Sequence, residues 1–145
     1  MEARRVGAGS ALLEGVLVGR GAVIGAGVMG AQIAAHFVNA RFSVDLYDVA
    51  AAGVKLEKAT RETLALLQTR NQIVEQGLER ARKAKPPAFF LSEWSEKIRI
   101  GNLDDDFQRI SEADWIIEVV LEDLKIKHAT YEKINKLDRK STRLN

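Results

Sequence analysis

The sequence predicts an α/β chain: a doubly wound parallel sheet of about four strands, with a long helical segment between strands 2 and 3. Three observations carry this. Strand-like runs recur at Ala22–Ile24, Phe42–Tyr47, Lys97–Ile100 and Asp114–Val120. Segments with apolar residues at helical spacing separate them, the alternation of a parallel sheet. At 145 residues, 46% hydrophobic and 29% charged, the chain has the size and balance of one domain with one core.

Residues Met1–Gly19 precede the first strand and have no assigned role. They read as a loose extension or a misplaced start of translation. Their charged start and apolar stretch faintly resemble a targeting segment, but Glu14 interrupts it and no cleavage site follows.

Ala22-Val23-Ile24 runs into Gly25-Ala26-Gly27-Val28-Met29-Gly30, a G-x-G-x-x-G. A helical pattern follows from Met29 to about Ala40, then the strand Phe42–Tyr47, closed by Asp48. Strand, glycine turn, helix, strand and acid is the order of a Rossmann-type dinucleotide-binding unit. Gly25 allows a sharp exit from the strand, Gly27 a close approach of pyrophosphate, and Gly30 tight packing of helix on strand. The phosphates would sit on free N–H groups at the positive end of the helix dipole. No Lys or Arg lies between Gly21 and Ala40, so backbone amides are the expected main phosphate ligands. Asp48 follows Gly30 at close to the spacing of about 20 residues expected of a ribose-binding acid. A carboxylate there accepts from the ribose hydroxyls and repels a 2′-phosphate, so the cofactor is read as NAD rather than NADP.

Ala50–Lys85 reads as long and helical. Leu56, Thr60, Thr63, Leu67, Val74, Leu78 and Ala81 form its apolar stripe, with Lys55, Arg61, Glu62, Arg70 and Glu79 opposite. Gly77 is a candidate break into two helices. The segment either projects to help hold a substrate or lies on the sheet as an amphipathic helix. Glu79–Lys85 places cations at the helix C-terminus, where they complement the dipole as a solvated end; phosphate binding is the other reading. Pro86-Pro87 is the expected stop. Ala88-Phe89-Phe90-Leu91 reads as an apolar patch packed down, and Trp94 and Trp115 as packing residues.

Lys97–Ile100 alternates and is closed by Gly101-Asn102. Asp104–Ala113 reads as a short helix capped by Asp104, with Phe107 and Ile110 facing inward. Asp114–Val120, β-branched and apolar, suits a buried parallel strand. Glu122–Leu137 is a final amphipathic helix. The first and fourth strands then flank the switch point, which sets Val120–Glu122 opposite Gly25–Gly30.

A net charge of +2 does not suggest nucleic acid, and the absence of cysteine excludes a disulfide framework and a Cys-based metal site. Two histidines, His36 and His128, make no metal cluster. No apolar run is long enough for membrane insertion. A cytoplasmic protein is the expectation.

From about Ala22 to Leu137 the sequence resembles the NAD-binding domain of the 3-hydroxyacyl-CoA dehydrogenases. The resemblance rests on VIGAGVMGAQIAAHFVNA, LYD, GNLDDDF and above all ADWIIEVVLEDLKIKHATYEKI. It implies that Gly25, Ala26, Gly27, Val28, Met29 and Gly30 carry NAD, with Asp48 on the ribose. It sets Val120, Leu121 and Glu122 along the nicotinamide side and makes Lys127 a further cofactor residue. The implied reaction is oxidation of the 3-hydroxyl of an acyl-CoA in fatty-acid β-oxidation. A His acts as general base, a Glu orients it, and hydride passes to NAD.

That His is expected beyond Asn145; neither His36 nor His128 matches it, so no catalytic residue is carried over. The family's helical C-terminal domain, which closes on acyl-CoA and forms the homodimer, is also expected beyond this chain. Arg41 stands where a Gly commonly ends the first helix, so another cap geometry is required. The tail Asp138–Asn145 departs from the family and reads as non-native adaptor sequence or a disordered end. The resulting division is an extension over 1–19, a partial NAD-binding domain over 20–137 and the tail over 138–145, a fragment inactive alone. Competing readings are a dehydrogenase of another small hydroxy acid and a non-catalytic NAD-binding module.

Overall fold

The structure is a computed structural model that describes residues 12–13, 16–17, 19–51, 69–120 and 124–142, with side chains described over 19–51, 69–120 and 128–137. Two short strands, β1 (Leu12–Leu13) and β2 (Val16–Leu17), pair antiparallel ahead of the main sheet. The sequence reading has no counterpart for them.

The main sheet holds β3 (Arg20–Ile24), β4 (Ser43–Asp48), β5 (Ile98–Asn102) and β6 (Trp115–Glu118). All neighbours are parallel, in the order β5-β4-β3-β6. Register runs Ile24↔Tyr47 on one side of β3 and Ile24↔Glu118 on the other. The winding reverses between β3 and β6, so the switch point lies beside the carboxyl end of β3, as the sequence predicts.

Alternation along the strands supplies two cores. Val23, Val44, Leu46 and Ile98 face α1 (Val28–Asn39) and α2 (Gln72–Arg82). Ala31, Ala34 and Ala35 of α1 are buried small residues, letting this helix sit close to the sheet. Ala22, Ile24 and Tyr47 face the other way, against Ile110 of a 3-10 helix (Phe107–Glu112) and Ile134 and Leu137 of α3 (Leu124–Thr142). Helices cover both faces, the condition a mostly parallel sheet needs. Among the described residues no helix is long and apolar enough to cross a membrane.

Several expectations are corrected. Of the long helical segment, residues 52–68 lie outside the described residues, and with them Lys55, Leu56, Thr60, Arg61, Glu62, Thr63 and Leu67. Gly77 does not break α2; it is buried inside a continuous helix. Arg70 is 9% exposed rather than on a solvated face, and grips Asp105 through Nε (2.6 Å) and Nη2 (2.9 Å). A charged side chain is tolerated in that position because the carboxylate receives both donors.

Helix α2 ends at Arg82, with Lys83 as its cap, ahead of Pro86-Pro87. In the apolar patch Phe89 and Ala88 pack down, while Phe90 is 76% exposed and Leu91 48%. Asp104 lies in a turn, and the 3-10 helix begins after Asp106 without a side-chain cap. Residue Asn102 organises that turn, its Oδ1 accepting from the N–H groups of Asp104 and Asp105. Helix α3 continues to Thr142, past Leu137.

Candidate functional site

The glycine turn meets the fourth strand of the sheet at the switch point. Gly25 has φ +108°, and a Cβ there would lie 2.7 Å from the Val119 carbonyl oxygen and 3.1 Å from the Val120 nitrogen. The chain turns so closely against the end of β6 that only glycine satisfies both conformation and space. The turn is held by Gly25 N–H donating to Tyr47 O (2.7 Å) and Val119 N–H donating to Ile24 O (2.8 Å). At Gly30 a Cβ would collide with the Gly25 carbonyl, so this glycine brings α1 down onto the turn.

Gly27 differs from both. Its backbone is extended (φ −66°, ψ −173°), a conformation open to any residue. A Cβ there would meet nothing within 4 Å. Nothing within the described protein requires glycine at this position, and the space beside it is what an approaching pyrophosphate would fill. Gly27 is also the N-cap of α1, which has no side-chain cap and no acid in its first turn. The positive end of that helix is therefore left to an external anion. The residues present fit a dinucleotide.

Asp48 lies at the carboxyl end of β4, beside this turn. Its Oδ2 accepts from Ala26 N–H (2.7 Å) and its Oδ1 from Val49 N–H (2.7 Å). An ionised carboxylate offers about four acceptor positions, so two bonds leave capacity for ribose hydroxyls. The acid also braces the glycine turn, a role its sequence position does not reveal. Val28, Met29 and Val49 are exposed apolar side chains beside the turn, at 69%, 66% and 49%.

Of the predicted site residues, the structure brings Gly25, Ala26, Gly27, Val28, Met29, Gly30, Asp48 and Val120 together. Leu121 and Glu122 lie outside the described residues. Lys127 belongs to α3, and its side chain also lies outside them. His36 and His128 are exposed on α1 and α3.

Sequence reasoning missed two neighbours of the site. Glu118, at the end of β6, accepts from Val120 N–H (2.9 Å) and from the Tyr131 hydroxyl (2.9 Å), tying the strand end to α3. That bond pushes the Tyr131 phenol above its ordinary value. Arg80 of α2 donates through Nη2 to the Ala26 carbonyl (3.3 Å). The sequence traces of that approach are its helical spacing from Gly77, which sits against the same Ala26, and its place in the cation run Glu79–Lys85, for which phosphate binding is the second reading.

Deeper on the same sheet face, Asp45 is 1% exposed. It accepts from Arg20 (2.6 Å), from Arg99 Nε (2.9 Å) and from the Tyr47 hydroxyl (2.8 Å). Burial alone would raise its carboxyl; the bonds from Arg99 and Tyr47 and the charges of Arg20 and Arg99 bring it below the ordinary 3.8. Burial and the bond to Asp45 push the Tyr47 phenol up. This cluster links three strands, from Arg20 at the sheet's amino end to Tyr47, whose carbonyl holds Gly25 of the glycine turn.

Residues 20–144 match the family model described as 3-hydroxyacyl-CoA dehydrogenase, NAD binding domain. A Deinococcus radiodurans protein named probable 3-hydroxyacyl-CoA dehydrogenase is 40% identical over 122 residues, covering 84% of this chain and 32% of that protein. A Bacillus subtilis protein of the same name is 37% identical over 74% of this chain and 14% of its own length. A putative fatty acid oxidation complex trifunctional enzyme of Rickettsia felis is 38% identical over 77% of this chain and 14% of its own. The chain thus spans a third or less of the length of these relatives.

Among solved structures, a diketoreductase is 26% identical with a TM-score of 0.54, over 83% of this chain and 38% of that one. The (S)-3-hydroxybutyryl-CoA dehydrogenase of Ralstonia eutropha, at 20% identity and TM-score 0.52 over 83% of this chain and 37% of that one, shares the fold. With the family matched over nearly all of the chain, and its glycine turn and strand-end acid in place, this protein belongs to the 3-hydroxyacyl-CoA dehydrogenases and carries their NAD-binding domain.

Proposed function

We propose that this chain is the cofactor half of an enzyme that oxidises (S)-3-hydroxyacyl-CoA to 3-oxoacyl-CoA with NAD in fatty-acid β-oxidation. The observation that carries the reading is an open Gly27 beside an acid at the end of the neighbouring strand. The names of the relatives, a 3-hydroxyacyl-CoA dehydrogenase and a fatty acid oxidation complex, support the substrate class. Bound NAD supplies the hydride acceptor. The chain's own residues bind and orient it. N–H groups at the start of α1 take the pyrophosphate, with Gly25, Ala26, Gly27, Val28, Met29 and Gly30 shaping the cradle. Asp48 accepts from the adenosine ribose. Val120, Leu121 and Glu122 line the nicotinamide side, and Lys127 also serves the cofactor. In this reading neither His36 nor His128 is the general base, so the chain is inactive alone, and the full-length enzyme is a cytoplasmic homodimer acting on acyl-CoA.

A second reading, a dehydrogenase acting on another carbonyl substrate, draws on the diketoreductase at 26% identity. Turnover by the full-length protein of acetoacetyl-CoA against free diketones separates the two.

The cofactor assignment is tested by calorimetric titration with NAD and with NADP, alongside circular dichroism. NAD binds and NADP does not, and Asp48→Ala weakens NAD by about 1–3 kcal/mol through lost charge-assisted bonds. A folded chain that binds neither dinucleotide overturns the assignment; unchanged affinity in Asp48→Ala removes Asp48 from the site.

A further inference from the structure

We propose that Arg80 is a pyrophosphate ligand of the dinucleotide site, a side-chain cation delivered to the glycine turn by α2. The inference rests on the NAD reading above and extends it to a residue far from the fingerprint. Helix α2 meets the turn at Ala26. A Cβ on Gly77 would collide with the Ala26 carbonyl oxygen and lie 2.8 Å from the Ala26 Cβ. Arg80 stands one helical turn further on, on the same face. Helical side chains lean back toward the N-terminus, so its stem lies over the Gly77 turn and its guanidinium reaches Ala26. The Nη2 donates to the Ala26 carbonyl at 3.3 Å, next in the chain to Gly27, whose missing side chain leaves the adjoining space open.

Among the described residues no carboxylate takes the charge of Arg80. Its neighbours on the helix face are Gln76 and Gly77 on one side and Lys83 and Ala84 on the other, none of them a carboxylate. Arg82 and Lys83, the adjacent cations, both pair with Glu79 at 3.2 and 3.1 Å. Arg80 has no ion pair among the described residues. One of its five donors is used on Ala26, which aims the planar fork at the turn and leaves the others for phosphate oxygens. The cation cluster at Glu79–Lys85 thus divides: Arg82 and Lys83 pair with Glu79, and Arg80 reaches the glycine turn.

The test is the affinity of the chain and its variants for NAD, ADP-ribose and adenosine, measured by calorimetry at several salt concentrations. Arg80→Gln is expected to weaken NAD and ADP-ribose about tenfold, to leave adenosine unchanged and to flatten the salt dependence. Arg80→Lys keeps part of the affinity, and Lys83→Gln, which removes the same charge from the same helix, changes none of them. An Arg80→Gln chain that binds NAD as the unaltered chain does overturns the proposal. So does an equal loss for adenosine, which would mean that Arg80 only positions the turn. Failure of the underlying NAD reading shows differently: the unaltered, folded chain then binds no NAD, and Gly27→Val has nothing to abolish.

Discussion

Arg41 occupies a backbone position normally given to glycine. Its φ is +65°, left-handed, and it closes α1 with two paired bonds. Arg41 N–H donates to Val38 O, and Phe42 N–H donates to Phe37 O, each at 2.9 Å. That is the Schellman pattern, completed by the edge-on contact of Phe42 with Phe37 at 6.3 Å. The geometry the sequence lacked a glycine for is therefore built anyway, and Arg41 recovers part of the strain by lying over Trp94, 5.6 Å from its ring centre. Arg41→Gly should stabilise the fold by about 0.5–1 kcal/mol, because the left-handed cost to an L side chain of about 1–2 kcal/mol exceeds an exposed cation–π contact. Urea denaturation checks this; a loss of stability would mean that the Trp94 contact outweighs the backbone strain. Asp45 gives a pH dependence of fixed sign. Its carboxyl is below 3.8 when folded and returns to the ordinary value when unfolded, so unfolding takes up protons in acid. The stabilisation is present above about pH 4 and is lost as pH falls through the folded value. Asp105, held down by Arg70, acts in the same direction. Asp45→Asn should cost about 3 kcal/mol at pH 7, since it leaves Arg20 and Arg99 without their shared carboxylate, and should flatten the decline below about pH 4. An unaltered decline in the variant would show that other groups carry it.

At the scale of elements, the contact between α2 and the glycine turn is the one that local propensity misjudges. Glycine inside a helix is unfavourable by about 1 kcal/mol relative to alanine, so sequence alone marks Gly77 as a weak point or a break. The structure shows the opposite sense: its bare backbone lets α2 approach Ala26. Gly77→Ala separates the two arguments. Propensity predicts a gain of about 1 kcal/mol, and the collision with Ala26 predicts a loss of about 1–3 kcal/mol from overpacking. We expect the loss, together with weaker NAD binding, because the displaced helix moves the turn; a stabilised variant with full affinity would show that α2 and the turn are not coupled. The four strands were legible because parallel strands covered on both faces are runs of apolar residues, as at Ala22–Ile24; Trp115–Glu118 has the same character but is only half-buried along its length. The short connections were less so. Asp104 looks like a cap by composition, yet the turn is set by the Asn102 side chain and by Arg70, which arrives from a distant helix.

For the whole molecule, the prediction concerns what one cofactor half can do. It matches 32% of the length of its Deinococcus relative and 14% of the Bacillus one. Incubated with acetoacetyl-CoA and NADH, the chain should show no turnover above background; measurable turnover would place a base within these residues. In the described sheet β5 and β6 are the outer strands, whose unpaired edges favour association. The sequence by itself determined the order of elements, the glycine turn, the acid after the second sheet strand and hence the dinucleotide class. Each of these depends on residues close together in the chain, where hydrophobic period, glycine geometry and strand-end chemistry leave few alternatives. Only the tertiary structure decided that Gly27, unlike Gly25 and Gly30, is not required by the surrounding described protein, that Asp48 braces Ala26, that Arg70 is buried against Asp105, and that Arg80 reaches Ala26 of the glycine turn. Those outcomes depend on which segments the sheet order and helix packing bring within a few ångströms, and no local pattern encodes that approach.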